Sequence, residues 1–379
     1  MKHLYLSLLL LSIQYSNSSE AIQTDSNITV EENAFTLNLD FETAFSAGSI
    51  SPVDFNASKL SLLNGPTSSI KVFNSDNKTT VQTISIPKEG PDALSAPIYM
   101  TSSNNEFFVF DFYKNELCQI NTNGVVNKYK TLSDDDSMLG QLSNSLAPII
   151  VTEEKIYVST QGQLLKDRSN YHLGKSVMII DRNSKEITGV LDYPEIYKTS
   201  SVAGGKVSMA SLTYDSKKKS VIVSFPLSND IYEITQEDKV VKHAFEYKLE
   251  GIDDIPFSSS SQVARASIKD IQKKYLIHAS YSAIHYDAFA DIYWRVIALP
   301  MNNDEQISKS LSRDTMHRNY RLLALNETFE IIGKSGVIKN IDVSYGSAKF
   351  FSNKEGFFIA DKSQLNEDTL VFSKIKLNL

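Results

Sequence analysis

Short apolar runs alternate with polar clusters along most of the chain, and a helical period is nearly absent. The clearest stretch is Phe107-Phe108-Val109-Phe110-Asp111, a break at Phe112-Tyr113-Lys114-Asn115, and then Glu116-Leu117-Cys118-Gln119-Ile120. The turn Asn121-Thr122-Asn123-Gly124 follows, and Val125-Val126-Asn127-Lys128-Tyr129 closes the phrase. Short runs rich in Val, Ile and aromatic residues, bounded by Asn, Asp and Gly, read as strands. The last turn supplies residues that tolerate the positive φ of a hairpin. The phrase predicts three antiparallel strands joined by tight turns.

The same phrase recurs. Ser69 to Phe73 with Thr80 to Ile86 is one version, and Lys175 to Asp181 with Glu186 to Leu191 is another. Ser220 to Phe225, Asp230 to Ile234 and Lys239 to Phe245 form the next. Ile292 to Leu299, Tyr320 to Leu325 and Phe329 to Ile332 form one split by an insertion, and Gly356 to Ala360 with Leu370 to Leu377 is the last. With the Phe107 phrase that makes six. Leu212-Thr213-Tyr214-Asp215 and Ile284-His285-Tyr286-Asp287 both put Tyr-Asp before a polar turn and an apolar strand. Antiparallel units recurring every 40–50 residues or so point to an all-β six-bladed β-propeller. A blade can bury its two sheet faces only against its neighbours, so the ring must close. Phe35-Thr36-Leu37-Asn38-Leu39 alternates well, and pairing it with Phe372 to Leu377 joins the N-terminal and C-terminal strands in the last blade. Two packed sandwiches are the competing all-β solution. No composition break or linker divides the chain, which favours one ring over 35–379.

The start of the chain carries a different pattern. Met1-Lys2-His3 leads into an apolar run from Leu4 to Ile13, and Ser16 and Ser18 stand at −3 and −1 of a cut before Ser19. These are the parts of a secretory signal, placed at 1–18, with 19–34 as a flexible lead. The apolar run is shorter than the roughly 20 residues that span a bilayer, and no later window reaches that length. The expected location is therefore extracytoplasmic, with no membrane span. Asn-x-Ser/Thr triplets begin at Asn17, Asn27, Asn56, Asn77 and Asn326, and they carry sugar only in a eukaryotic secretory route.

Composition narrows the classes further. The chain has 379 residues, 38 basic against 45 acidic side chains, 10% aromatics and one cysteine. An acidic chain without a long Lys/Arg run is a poor nucleic-acid binder. A lone Cys118 in an apolar strand excludes a disulfide framework and reads as a small buried hydrophobe.

Several phrases carry a family resemblance. Glu89-Gly90-Pro91, Asp192-Tyr193-Pro194-Glu195-Ile196-Tyr197, Tyr281 to Asp287 with Asp291-Ile292-Tyr293-Trp294-Arg295, and Asn366 to Phe372 occur in order. Together they resemble an uncharacterised family of six-bladed propellers from Bacteroidetes, secreted or lipoprotein-like, catalogued as a domain of unknown function. The resemblance covers about residues 35 to 379 and implies the fold and an extracytoplasmic site. It brings no activity. No cysteine stands at the cut before Ser19, which puts the lipid anchor of such lipoproteins in doubt.

The chemistry candidates are sparse. The six histidines form no His-Glu-x-x-His pair, although His278 and His285 flank Tyr281 and could converge. Gly333-Lys334-Ser335-Gly336 lacks the spacing and strand-to-helix context of a phosphate loop. Asp134-Asp135-Asp136 lacks the alternation of a calcium loop. Lys217-Lys218-Lys219 reads as an exposed hairpin turn. No metal and no cofactor are expected.

The best ligand-site candidates are Tyr286, Asp287, Tyr293 and Arg295. Tyr293 and Arg295 share one strand face, and an Arg inside a strand needs an acceptor, for which Asp287 across the hairpin is the candidate. The pair either locks the blade or holds an anionic or sugar-like ligand. Trp294 faces the other way and is expected between blades. Arg168, Tyr171 and His172 on a predicted loop could rim the same ring. Long polar segments at Thr131 to Ser143, Glu250 to Lys274 and Met301 to Asn319 are where a rigid ring usually carries function. The expected function is non-enzymatic binding or scaffolding by a monomer, with a protein or glycan partner. The alternative is a carbohydrate-active lyase or hydrolase in the central funnel.

Overall fold

Each recurrent phrase folds into a four-stranded antiparallel sheet, and there are six such sheets. The computed structural model describes residues 27–39, 50–53, 58–65, 67–131, 149–160, 174–199, 209–252, 255, 262, 265–304, 307–308, 318–339, 341, 350–361 and 368–378. Sheet one holds β2 (Ile50–Pro52), β3 (Lys59–Asn64), β4 (Ser69–Asn74) and β5 (Thr80–Ser85). Sheet two holds β6 (Pro97–Ser103), β7 (Glu106–Asp111), β8 (Glu116–Asn121) and β9 (Gly124–Lys130). Sheet three holds β10 (Ile150–Val151), β11 (Lys155–Ser159), β12 (Lys175–Asp181) and β13 (Ile187–Asp192). Sheet four holds β14 (Ser211–Asp215), β15 (Ser220–Ser224), β16 (Ile231–Ile234) and β17 (Val240–His243). Sheet five holds β18 (Ser280–Asp287), β19 (Ile292–Ala298), β20 (Tyr320–Leu325) and β21 (Ile331–Lys334). Sheet six holds β22 (Phe350–Asn353), β23 (Gly356–Ala360) and β24 (Thr369–Leu377), and its outer edge is β1 (Ile28–Asn38).

The first strands of successive sheets touch one another, β2 with β6, β6 with β10, β10 with β14 and β14 with β18, and β2 also meets β22. Trp294 stacks on Phe357 at 5.4 Å and 13° to join sheets five and six. The architecture is a six-bladed β-propeller with these first strands around the axis. β1 pairs antiparallel with β24, with Phe35 opposite Phe372 and Leu37 opposite Leu370. The strand begins at Ile28, inside the segment 19–34 expected as a lead. A bulge between Glu31 and Phe35, with Asn33 at φ 57°, breaks the two-residue alternation that would have shown its first half.

Apolar clusters fill the seams. Phe35, Phe73, Phe351, Phe358 and Phe372 pack between sheets six and one. Tyr157, Val223, Phe225, Tyr281 and Tyr293 belong to the large cluster through sheets three, four and five.

The recurring Tyr-Asp phrase has a local cause. Asp215 accepts the N–H groups of Lys217 and Lys218, both at 2.9 Å. Asp287 accepts those of Phe289 and Ala290 at 3.1 and 3.3 Å. Asp181 does the same with Asn183 and Ser184, and Asn74 with Asp76 and Asn77. The motif is an Asx-type turn device. All four sit where a blade turns from its first to second or third to fourth strand, so they share one face of the ring, the turn face. The second and third strands of a blade, and successive blades, are joined from the other face.

Among the described residues, the helices with defined bounds are α1 (Glu195–Thr199) and α2 (Ile268–Ile277), and Gln262, Arg265, Asp304, Ile307 and Ser308 are also helical. Ser267 and Asp270 form a capping box at the start of α2. Arg318 fastens its end by donating to the carbonyls of Tyr275, His278, Ala298 and Leu299. Among the described residues, no helix is long and apolar enough to cross a membrane.

Candidate functional site

Tyr293 and Arg295 do share one face of β19, and that face is closed by sheet four. Arg295 is fully buried. It donates to Ser224 Oγ at 3.1 Å, to the Asn229 carbonyl at 2.7 Å and to the Ser228 carbonyl at 2.9 Å. Its guanidinium lies 3.4 Å from the centre of the Tyr281 ring and 4.8 Å from that of Phe245. Burial pulls its pKa down to about 10. The expected partner Asp287 is not used. Asp287 is occupied by its own turn and by the Trp294 indole N–H at 3.4 Å, and burial raises its pKa. The reason is directional: Arg295 and Trp294 are adjacent on β19 and project to opposite sides. The carboxylate on Trp294's side is out of Arg295's reach.

Tyr293 donates to Asp215, and Tyr286 donates to Asp291 at 2.9 Å. Burial, reinforced by those carboxylates, raises both phenol pKa values. The Tyr286 N–H donates to Thr213 Oγ1 at 2.9 Å, and the Ile284 N–H to Ser211 Oγ at 3.0 Å. The structure thus brings Tyr286, Tyr293 and Arg295 together, as a stitch between sheets four and five. Arg168, Tyr171 and His172 lie outside the described residues, as do the 1–18 segment and Asp134 to Asp136.

The other candidates fall to packing. His285 stacks on Phe357 at 5.1 Å and bonds Ser352 at 2.9 Å, and burial drives its pKa down to about 3. His278 follows α2, and its carbonyl takes Arg318, so the two histidines serve separate contacts. Cys118 is buried, and burial raises its thiol to about 12. At Gly333 an added Cβ would lie 2.4 Å from Leu377 Cδ1 and 3.1 Å from Asn27 Oδ1, so a larger residue there must displace these side chains. The Lys334 N–H donates to Asn27 Oδ1 at 3.1 Å, and Asn27 donates to the Ile332 carbonyl at 2.8 Å. The triplets at Asn77 and Asn326 form local turns, each Asn Oδ1 accepting the Thr two residues on. Lys217, Lys218 and Lys219 are exposed in the β14–β15 turn.

Open space lies on the turn face. A cavity of about 450 Å³ opens where sheets one to four meet the axis. Pro52 and Val53 close it on one side, and Ser102, Ser103 and Thr152 bring hydroxyls. Tyr157 and Tyr214 bring rings, and Glu153, Glu154, Lys155 and Lys219 bring charge. Its wall is stitched between sheets: Ser102 donates to the Pro52 carbonyl at 2.7 Å, and Ser103 to that of Val151 at 3.2 Å. Lys155 is committed to Asp238 at 2.8 Å. Two further cavities, about 400 and 650 Å³, lie on the same face and share Phe289 and the turn from Asn353 to Glu355. Sequence reasoning missed these residues. They are turn residues of ordinary type, and only the ring brings them together. The Ser and Thr in first strands, Ser51, Ser102, Ser211 and Thr213, were the available signal.

Comparison with known proteins adds the family. The sequence profile described as Domain of unknown function (DUF4221) matches residues 25–333. A crystal structure of a DUF4221 member from Bacteroides vulgatus is similar with a TM-score of 0.72 at 19% identity, over 92% of this chain and 98% of that one. A candidate exported protein from Bacteroides fragilis is similar with a TM-score of 0.55 at 10% identity, over 94% and 97%. A search of the curated proteins finds no match.

Proposed function

This chain belongs to the family described as Domain of unknown function (DUF4221), and on that footing we propose that it is an extracytoplasmic binding propeller. Its ligand cavity is the opening on the turn face between sheets one and four. One observation carries the reading: four sheets contribute hydroxyls, amides, rings and charges to a single cavity at the axis. Concave sites with a few convergent polar groups on a rigid frame are the usual geometry of recognition. By contrast, Tyr293 and Arg295 are consumed in joining blades, and Tyr286 joins them through its N–H while its hydroxyl bonds Asp291 in its own hairpin. The signal-like pattern at 1–18 supports the location.

The test is capture from a cell-envelope extract, with a glycan array in parallel, on the mature protein and on Gln236→Trp. Gln236 is an exposed rim residue, so the variant obstructs the cavity without touching the seams. The expected result is stoichiometric capture of a glycan or protein by the wild type and its loss in the variant. Equal capture by both overturns the cavity assignment. Turnover of a captured glycan overturns the binding role in favour of a carbohydrate-active enzyme.

A further inference from the structure

The charges around this cavity are uneven. Tyr157 and Tyr214 are neighbours, and burial, aided by nearby carboxylates, raises both phenols. Glu154 and Asp238 act on Tyr157, and Asp215 and Glu153 act on Tyr214. Two of these carboxylates are spent. Asp238 holds Lys155 at 2.8 Å, and Asp215 takes the Tyr293 hydroxyl and its own turn. Glu153 and Glu154 are exposed on the β10–β11 turn, and among the described residues their carboxylates carry no ion pair or hydrogen bond. Lys219 is the opposing cation on the sheet-four wall. The cavity therefore sets two uncommitted carboxylates and two aromatic rings around one space, against one uncommitted ammonium.

We propose that this cavity binds an organic ammonium ligand, seated against the half-buried Tyr214 ring, with Tyr157 behind it and Glu153 and Glu154 as counter-charges. The ring faces offer the negative side of their quadrupole to a cation. The carboxylates raise the local concentration of positive ligands at the mouth. The volume, about 450 Å³, suits a small molecule and not a folded segment. The inference rests on the cavity being the ligand site.

Choline and its uncharged tert-butyl analogue differ chiefly in charge, and they are the probes. Each is titrated calorimetrically into the mature protein at low salt, and into Tyr214→Leu and the double variant Glu153→Gln/Glu154→Gln. The expected result is saturable choline binding in the millimolar range or tighter, with the uncharged analogue at least about tenfold weaker. Both variants should lose affinity at least about fivefold while melting with the wild type. Equal affinity for the two probes overturns the proposal, and so does absence of choline saturation. Gln236→Trp separates the two readings. If it abolishes capture from the envelope extract while choline fails to bind, the cavity is the ligand site and only the ammonium assignment falls. If capture is unaffected, both fall.

Discussion

Two seams of this ring solve the same problem with opposite chemistry. Between sheets six and one, sheet six presents Phe35, Phe351, Phe358 and Phe372, packed ring on ring with centroids 5.0 to 5.7 Å apart, to Leu60, Leu62 and Phe73 of sheet one. No titratable side chain is among them. Between sheets four and five, the seam is Arg295 on two carbonyls, Tyr293 on Asp215, and backbone N–H groups on Ser211 and Thr213. The phenyl seam is where the two ends of the chain meet as β1 and β24. Burial of one face fixes the register of a strand arriving from far along the chain, because a slip of one residue would turn Phe35 and Leu37 out of the core. The polar seam joins sheets adjacent in sequence and fixes one relative setting, because each donor has one acceptor at one distance.

Acid should act most on neither of these seams but on the one between sheets five and six. His285 of sheet five sits there against Phe357 and Ser352 of sheet six, half-buried, with desolvation pushing its pKa down to about 3. The unfolded chain takes up that proton below about 6.5, while the folded one does not until about 3. Stability is thus lost as pH falls through that window, by roughly 4–5 kcal/mol at most. His285→Gln can keep the Ser352 hydrogen bond without this titration. Its melts between neutral pH and pH 4 or so should fall less steeply than the wild type's. Parallel slopes would place the acid sensitivity elsewhere, for instance in carboxylates common to both. The phenyl seam answers to volume instead. Phe351→Ala should cost about 3–5 kcal/mol, read from denaturant midpoints, with no change in pH slope. A loss below about 1 kcal/mol would mean that the seam relaxes around the gap.

The fold was largely legible and the cavity at the axis was not. Alternation is a local property, so β7, β8 and β9 could be read from their own residues, and recurrence of the phrase led to the ring. The Asn33 bulge hid the first half of β1 because it breaks that alternation. Arg295 was rightly marked as needing an acceptor, but the acceptors are carbonyls at Ser228 and Asn229 in the neighbouring sheet. Carbonyls belong to every residue and leave no mark in a sequence. The cavity residues Ser102, Glu153 and Tyr214 are far apart in the chain and meet only at the axis. The long connections expected to carry function lie largely outside the described residues, and the described cavities open on the face with the short turns.

Arg295→Met tests what the polar seam contributes. Methionine fills much of the space and stays against the Tyr281 and Phe245 rings. It leaves two carbonyls and Ser224 Oγ without their donor. Replacing a buried ion pair by apolar residues can be neutral or stabilising. Here no partner carboxylate leaves with the cation, so the acceptors remain buried and unpaired. The expected loss is about 2–4 kcal/mol by denaturant unfolding. A variant as stable as the wild type would show that the seam is held by its apolar cluster alone.

Tyr293→Phe makes the smallest change, removing one hydroxyl and no volume. Asp215 keeps its turn N–H groups at 2.9 Å, so the turn should survive and only the bond across the seam is lost. That predicts a loss of about 1–2 kcal/mol. A double-mutant cycle with Asp215→Asn measures the tyrosine–aspartate interaction directly, since the asparagine amide can still accept the turn N–H groups. Strong coupling supports a seam set by directional bonds. Additivity would mean that Tyr293 acts through its ring, packed 4.8 Å from that of Phe329, and the polar seam would then differ from the phenyl seam in composition but not in what holds it.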